Sequence, residues 1–168
     1  MELLLSIIVL AILCCFVIPG FFGAPYVPTL NRQVDVSLDL LDLKPGQRLI
    51  ELGCGDGKIA LAAARRGLYV VAYELNPLLA AIAWLRTFRY RKQVTIIWGD
   101  FFKQELPATD GVFCFIMPKF MDAVDKKIEQ SQPHPVKLVS FAMPIPHKKP
   151  LRQMENVYLY SYSGNTKK

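Results

Sequence analysis

Two histidines and four cysteines are all that this 168-residue chain offers to a soft metal or a disulfide framework. Cys14 and Cys15 fall in one apolar run, Cys114 in another, and Cys54 in a glycine-rich turn. That spacing forms no zinc site and no disulfide ladder, so metal and thiol redox chemistry are not expected. His134 and His147 stand among prolines and lysines, where a loop position is the simpler account. Internal repeats and low-complexity tracts are also missing, which excludes solenoids and arrays. Aromatic and basic residues do not interleave as a single-strand binding surface requires, so nucleic acid is not an expected partner. The remaining shortage is positional: no Lys or Arg precedes Arg32.

What fills that basic-free stretch is hydrophobic. Leu3 to Ala24 is interrupted only by Ser6, Pro19, Gly20 and Gly23, and about 20 apolar residues suffice to span a bilayer as a helix. A cleaved signal peptide is the rival, but it wants a basic leader and a small-x-small cleavage site, whereas this chain begins Met1-Glu2. A lipoprotein signal is weak too, since Leu13 precedes Cys14. Residues 1–24 therefore read as a retained transmembrane anchor, with the bilayer as partner. Arg32, Lys44 and Arg48 follow it, and positive flanks stay in the cytoplasm, so the rest of the chain is expected to face the cytosol from a single-pass anchor.

The remainder is long enough for one domain with a real core. The net charge is +6, and every basic residue lies beyond the anchor, so the folded part should favour anionic partners. Arg86, Arg89, Arg91 and Lys92 cluster at the end of one expected helix, where they either face anionic lipid headgroups or offset the helix dipole.

Periodicity gives strands and helices in alternation. Asn31 can cap a helix over 32–41 with Val34, Leu38 and Leu41 on one face, and Lys44-Pro45-Gly46-Gln47 turns the chain into a strand at Arg48. An alanine-rich helix to Arg66, a strand at Leu68 and a long helix from Pro77 through Tyr90 follow. Strands at 94–98, 111–117, 136–141 and 157–162, with a helix over 120–130, complete the order. Such alternation predicts an α/β, Rossmann-like, mainly parallel sheet with helices on both faces, preceded by the one N-terminal transmembrane helix. The organisation expected is an anchor (1–24), a pre-domain segment (25–46), a cofactor-binding domain (47–163) and a short tail (164–168).

The chemistry gathers where the first strand breaks into Glu51-Leu52-Gly53-Cys54-Gly55-Asp56-Gly57. Glycines at Gly53, Gly55 and Gly57 let the backbone take positive φ and approach a ligand closely. Glu74 ends the next strand, where a parallel sheet delivers side chains to a crevice and a carboxylate can accept both hydroxyls of a ribose. A dinucleotide site is the obvious competitor, but its G-x-G-x-x-G fingerprint would need glycine where Lys58 stands. Glu51 and Asp56 beside the turn also suit the cationic groups of S-adenosylmethionine (SAM) better than a pyrophosphate. The turn is therefore expected to bind SAM; Asp56 is additionally, or instead, a helix N-cap.

These motifs in this order resemble class I, seven-stranded SAM-dependent methyltransferases from about Arg32 to the C-terminus. Pro25-Tyr26-Val27-Pro28-Thr29 after a membrane segment, Gly53-Cys54-Gly55-Asp56-Gly57-Lys58, and Pro144-Ile145-Pro146 after the fifth strand resemble more narrowly the membrane-anchored lysine methyltransferases of the ATP synthase c subunit and the adenine nucleotide translocase. The resemblance implies Tyr26 at the substrate lysine as the catalytic residue and Thr29 near SAM. It implies Gly53, Gly55 and Gly57 at the methionine part, Glu74 at the ribose, and Asp100 with Phe101 at the adenine. Read as residues alone, the 25–29 segment is equally a rigid extended linker and Asp100 a turn-forming Asp. Tyr26, Met117 and Pro118 are candidates to wall a dry lysine pocket. Phe115-Ile116-Met117-Pro118 stands where nucleic-acid amino methyltransferases carry an Asn/Asp-Pro-Pro-aromatic motif, so a base amino group has no acceptor there. The expected substrate is a membrane-protein lysine, with a lipid, a lipophilic small molecule or a non-catalytic SAM-binding role as alternatives.

Overall fold

The computed structural model describes residues 1, 2, 5, 6 and 31–165. Tyr26, Thr29 and, apart from residues 1, 2, 5 and 6, the expected anchor lie outside the described residues. Among the described residues no helix is long and apolar enough to cross a membrane.

The chain enters through α1 (Asn31–Leu41), which buries Val34, Leu38 and Leu41 as its spacing predicts, together with Ser37 and Leu40. Asp35 and Asp39, one turn apart on its outer side, both receive Arg66, at 3.0 and 2.5 Å. The Lys137 ammonium donates to the Leu41 carbonyl at 2.9 Å, satisfying one of the acceptors a helix leaves open at its C-terminus. Then follow β1 (Arg48–Leu52), α2 (Lys58–Arg65), β2 (Tyr69–Glu74), α3 (Pro77–Thr87), β3 (Val94–Trp98), β4 (Gly111–Cys114), α4 (Met121–Ser131), β5 (Val136–Phe141), β6 (Arg152–Met154) and β7 (Val157–Tyr162).

The seven strands form one sheet in the order β3-β2-β1-β4-β5-β7-β6. The first five are parallel, and β7 runs antiparallel between β5 and β6. Strand alternation divides the apolar side chains into two cores. Leu49 joins Leu38, Ile59, Ala63 and Ala83 under α1, α2 and α3. Ile50 and Leu52 join Met121, Val124 and Ile128 under α4. Among the described residues helices thus cover both faces, three against one.

The expected elements need three corrections. The helix from Pro77 closes as an α-helix at Thr87 and tightens into a 3₁₀ turn over Phe88–Tyr90. The fourth strand stops at Cys114, three residues short, because its ladder with β5 ends at the Cys114–Ser140 pair and Pro118 opens a 3₁₀ turn. β6 went unread since Arg152, Gln153 and Met154 are all exposed and show no apolar alternation. Its hairpin is made instead by Glu155 and Asn156, at φ 49° and 62°, the left-handed pair that a two-residue turn between twisted strands needs.

Candidate functional site

At the carboxyl ends of β1, β2 and β3 the chain leaves the sheet at Gly53, Glu74 and Trp98, with Leu52 beside Tyr73 and Glu74 beside Trp98 in the parallel register. The crossing of β1 into α2 is held by the backbone of β2: the N–H groups of Gly53 and Cys54 both donate to the Tyr73 carbonyl at 2.9 Å. Gly53, Gly55 and Gly57 all have positive φ, at 76°, 54° and 77°. Their reasons differ. A Cβ on Gly53 would meet nothing within 4 Å among the described residues, so that glycine borders open space there. A Cβ on Gly57 would lie 2.9 Å from the Cβ of Ala83, so that glycine lets α2 start hard against α3.

Glu74 ties the turn to the next helix. One carboxylate oxygen accepts from the Gly55 N–H at 2.7 Å and the other from the Asn76 N–H at 2.8 Å. Burial, to 8% exposure, holds its pKa above the usual carboxylate range, with the N–H groups of Asn76 and Gly55 pulling the other way. Asn76 in turn caps α3, its Oδ1 accepting from Leu78 and Leu79 with Pro77 behind it. Asn76 is a site residue that the sequence reading missed; Asn-Pro at a helix start was its signal.

Glu51 is the more unusual acid. It shares the α2 side of β1 with Leu49, is 2% exposed, and one of its oxygens, Oε2, has no partner among the described residues. Its pKa is driven well above the usual range, first by burial; the N–H of Ala60 opposes this, and the charges of Glu74 and Asp56 add to it. A buried carboxyl oxygen left without a partner costs about 1–3 kcal/mol, and once the carboxyl ionises Oε2 becomes an acceptor beside the turn for a cationic donor.

Asp56 is not the helix cap. Gly57 occupies that position in the left-handed conformation with no side-chain cap bond, and the Asp56 carboxylate pairs instead with the Arg86 guanidinium of α3. This also removes Arg86 from the basic cluster free to meet another partner. Asp100 follows Gly99, whose N–H donates to the Glu74 carbonyl at 2.8 Å, so it lies at the same end of the sheet. Its Oδ1 accepts from the Phe102 N–H at 2.9 Å, the turn-forming role, and Lys103 stands 3.9 Å from its other oxygen. Phe101 is half-buried with its ring 4.2 Å from that of Phe102.

Elsewhere the structure sorts the remaining candidates. Met117 is half-buried and Pro118 exposed past the end of β4. Ile145 is buried and donates its N–H to the Tyr160 hydroxyl at 2.9 Å, which fixes the Pro144-Ile145-Pro146 loop. His134 and His147 are exposed. Cys54 and Cys114 are buried free thiols; burial raises both, Cys114 to about 12, so neither supplies a thiolate. Among the described residues no group of His, Cys, Asp and Glu is placed to hold a metal ion.

The residues fit SAM on two counts taken from the structure itself. Among the described residues Glu51 Oε2, an acceptor once ionised, is buried without a partner, and the open side of Gly53 leaves room for a ligand against the main chain. A doubly covered sheet of this order with such a crevice belongs to the SAM-dependent methyltransferases. In a solved example, an RNA methyltransferase from Salinibacter ruber in complex with S-adenosyl-L-homocysteine, the fold superposes with a TM-score of 0.75 at 25% identity, over 84% of this chain and 95% of that one. Residues 51–153 match the ANTKMT methyltransferase domain, and the chain belongs to that family. It is 31% identical over 160 residues to the adenine nucleotide translocase lysine N-methyltransferase of Mus musculus, covering 88% of this chain and 69% of that protein. It is 30% identical over 128 residues to the Homo sapiens lysine N-methyltransferase of the ATP synthase c subunit; the match spans 75% of this chain and 54% of that protein. The chain thus spans little more than half the length of the human relative. It is an enzyme, a methyltransferase with SAM as its cofactor.

Proposed function

We propose that the chain methylates a lysine side chain of a membrane protein, with residues 1–24 as a single transmembrane anchor and the catalytic domain facing the cytosol. The observation that carries the lysine is the 31% identity over 160 residues to the adenine nucleotide translocase lysine N-methyltransferase of Mus musculus. The apolar stretch from Leu3 to Ala24 carries the anchor.

Glu51 would hold the ammonium of SAM on its unpartnered oxygen, Gly53 and Gly55 its methionine part, Glu74 the ribose, and Asp100 with Phe101 the adenine. Asp56 and Gly57 support this indirectly, by pairing with Arg86 and by packing α2 on α3. When bound, SAM supplies a methyl group already activated on sulfur, for in-line displacement by an amine lone pair. The protein has then to position that amine and keep it neutral. A lysine with an ordinary pKa of about 10.4 loses its proton more readily in a dry pocket, which disfavours the ammonium. Tyr26, Met117 and Pro118 are the residues proposed to line it, and Thr29 to lie over the cofactor.

Purified, detergent-solubilised protein incubated with radiolabelled SAM and host membranes, beside Glu74→Ala, tests this reading. Label on a membrane protein, resistant to lipid extraction and absent with the variant, is the expected result. Label in the lipid phase would overturn the lysine assignment, and SAM binding without any transfer would overturn the catalytic one.

A further inference from the structure

Helix α3 has an outer face that nothing in the described molecule covers. Its buried side consists of Leu79, Ala80, Ala83 and Thr87. The opposite side presents Leu78, Ile82, Trp84, Leu85 and Phe88, all exposed, with Leu85 at 66% and Trp84 at 50%. The indole of Trp84 meets the ring of Phe88 edge-on at 5.0 Å. At the head of the helix Trp98, 67% exposed at the end of the edge strand β3, donates its indole N–H to the Leu75 carbonyl at 3.1 Å and extends the apolar surface. A soluble surface seldom concentrates large apolar side chains on one helix in this way.

The charge beside this face has one sign. From Leu75 to Gly99 there is no Asp or Glu, while Arg89, Arg91 and Lys92 are exposed just beyond α3 and the Arg91 guanidinium sits 4.9 Å over the Phe88 ring. Arg86, the other basic residue of the segment, is engaged by Asp56 on the flank of the helix. Leucines and isoleucine in the middle, tryptophans at the margin and a basic rim describe an element that lies in a lipid interface rather than one that enters a protein core. We propose that the α3 face, with Trp98, rests on the surface of a bilayer carrying anionic phospholipid headgroups. The apolar side chains enter the acyl boundary, and Arg89, Arg91 and Lys92 meet the phosphates. This docking is carried by α3's own residues and does not depend on which acceptor is methylated. It would fix how the SAM crevice, opened by the same Asn76–Pro77 corner from which α3 starts, is presented to that surface.

The chain contains two tryptophans, and both belong to this face, so its intrinsic fluorescence reports the contact. The full chain is placed in lipid nanodiscs containing dibrominated phosphatidylcholine, with and without phosphatidylglycerol. Docking predicts about two-fold quenching of tryptophan emission with phosphatidylglycerol present, less without it, and less again after Arg89→Glu/Arg91→Glu/Lys92→Glu. Leu85→Glu should abolish the quenching while leaving the melting temperature and SAM binding unchanged, since Leu85 is exposed and is none of the residues assigned to the crevice. Unquenched emission in phosphatidylglycerol discs would overturn the proposal even where the chain is firmly anchored. So would equal quenching in both lipids, or protection of the tryptophans in lipid-free detergent accompanied by a doubled mass, which would assign the face to a second copy.

Discussion

Glu74 receives the N–H of Gly55 at 2.7 Å on one carboxylate oxygen and that of Asn76 at 2.8 Å on the other, bracing the two loops that border the cofactor crevice. The same carboxylate is the acceptor proposed for the ribose. Removing it should therefore cost both stability and SAM binding, in separable amounts. Glu74→Ala leaves two N–H groups unpaired, worth about 1–3 kcal/mol each where they are buried. Glu74→Gln keeps one acceptor oxygen and should melt closer to the parent, yet bind SAM at least about ten-fold more weakly, the loss expected of one charge-assisted hydrogen bond. Calorimetric titration with SAM beside thermal melts checks both; a Gln variant with parental SAM affinity would remove Glu74 from the ribose.

Gly53 and Gly57 look alike in sequence and should fail differently. Alanine at Gly57 places a methyl 2.9 Å from the Ala83 Cβ on a backbone at φ 77°, so α2 and α3 must part. A loss of about 2–3 kcal/mol is expected from overpacking and left-handed strain together. Alanine at Gly53 meets no atom of the described residues within 4 Å and carries only the strain, about 1 kcal/mol, but its methyl occupies the space assigned to the ligand. Urea unfolding should rank Gly57→Ala as the less stable, and SAM titration should rank Gly53→Ala as the weaker binder relative to its own folded fraction.

That β1 to β5 lie parallel was legible because apolar runs alternated with helix-length segments, though their order was not, and the turn of the candidate site was legible because three glycines in five residues mark one. The hairpin of β6 and β7 was half legible: Val157 to Tyr162 alternates, while Arg152 to Met154 pairs through backbone alone and leaves no apolar trace. Asp56 and Asp100 show a limit of another kind. An acid after a glycine looks the same whether it caps a helix, closes a turn or pairs with a distant cation, and the Arg86 that engages Asp56 is 30 residues away in the chain. Spacing identified the acids; the packing of α3 on α2 gave Asp56 its partner, while Asp100 closes its own turn on the Phe102 N–H.

The Asp56–Arg86 pair bridges the turn and α3 across a partly shielded surface, with side-chain exposures of 16% and 34%. Pairs of this exposure contribute at most about 1 kcal/mol. A double-mutant cycle with Asp56→Asn and Arg86→Gln should therefore give a coupling energy of about 0.5–1 kcal/mol in low salt, shrinking as salt is added. If the pair serves only to position the turn, SAM affinity should fall by less than about three-fold in Arg86→Gln. A ten-fold loss would mean that Asp56 touches the cofactor itself.

Glu51 gives the sharpest pH test because its burial and its proposed ligand act in opposite directions. Its folded-state pKa lies well above the unfolded value, so the folded protein holds a proton that the unfolded chain releases. The sign follows from linkage: this contribution to stability is complete below the unfolded carboxylate range and is lost as pH rises toward the folded pKa. Glu51→Gln, which carries no such proton, should therefore gain stability relative to the parent as pH is raised from about 4.5 upward. The ammonium of SAM favours the ionised carboxylate, so binding should expel the proton and tighten with rising pH across the same window. Titrations in buffers of different ionisation enthalpy should show proton release by the parent and none by Glu51→Gln. Proton release that survives in the Gln variant would place the titrating group elsewhere and leave the unpartnered oxygen of Glu51 without a ligand.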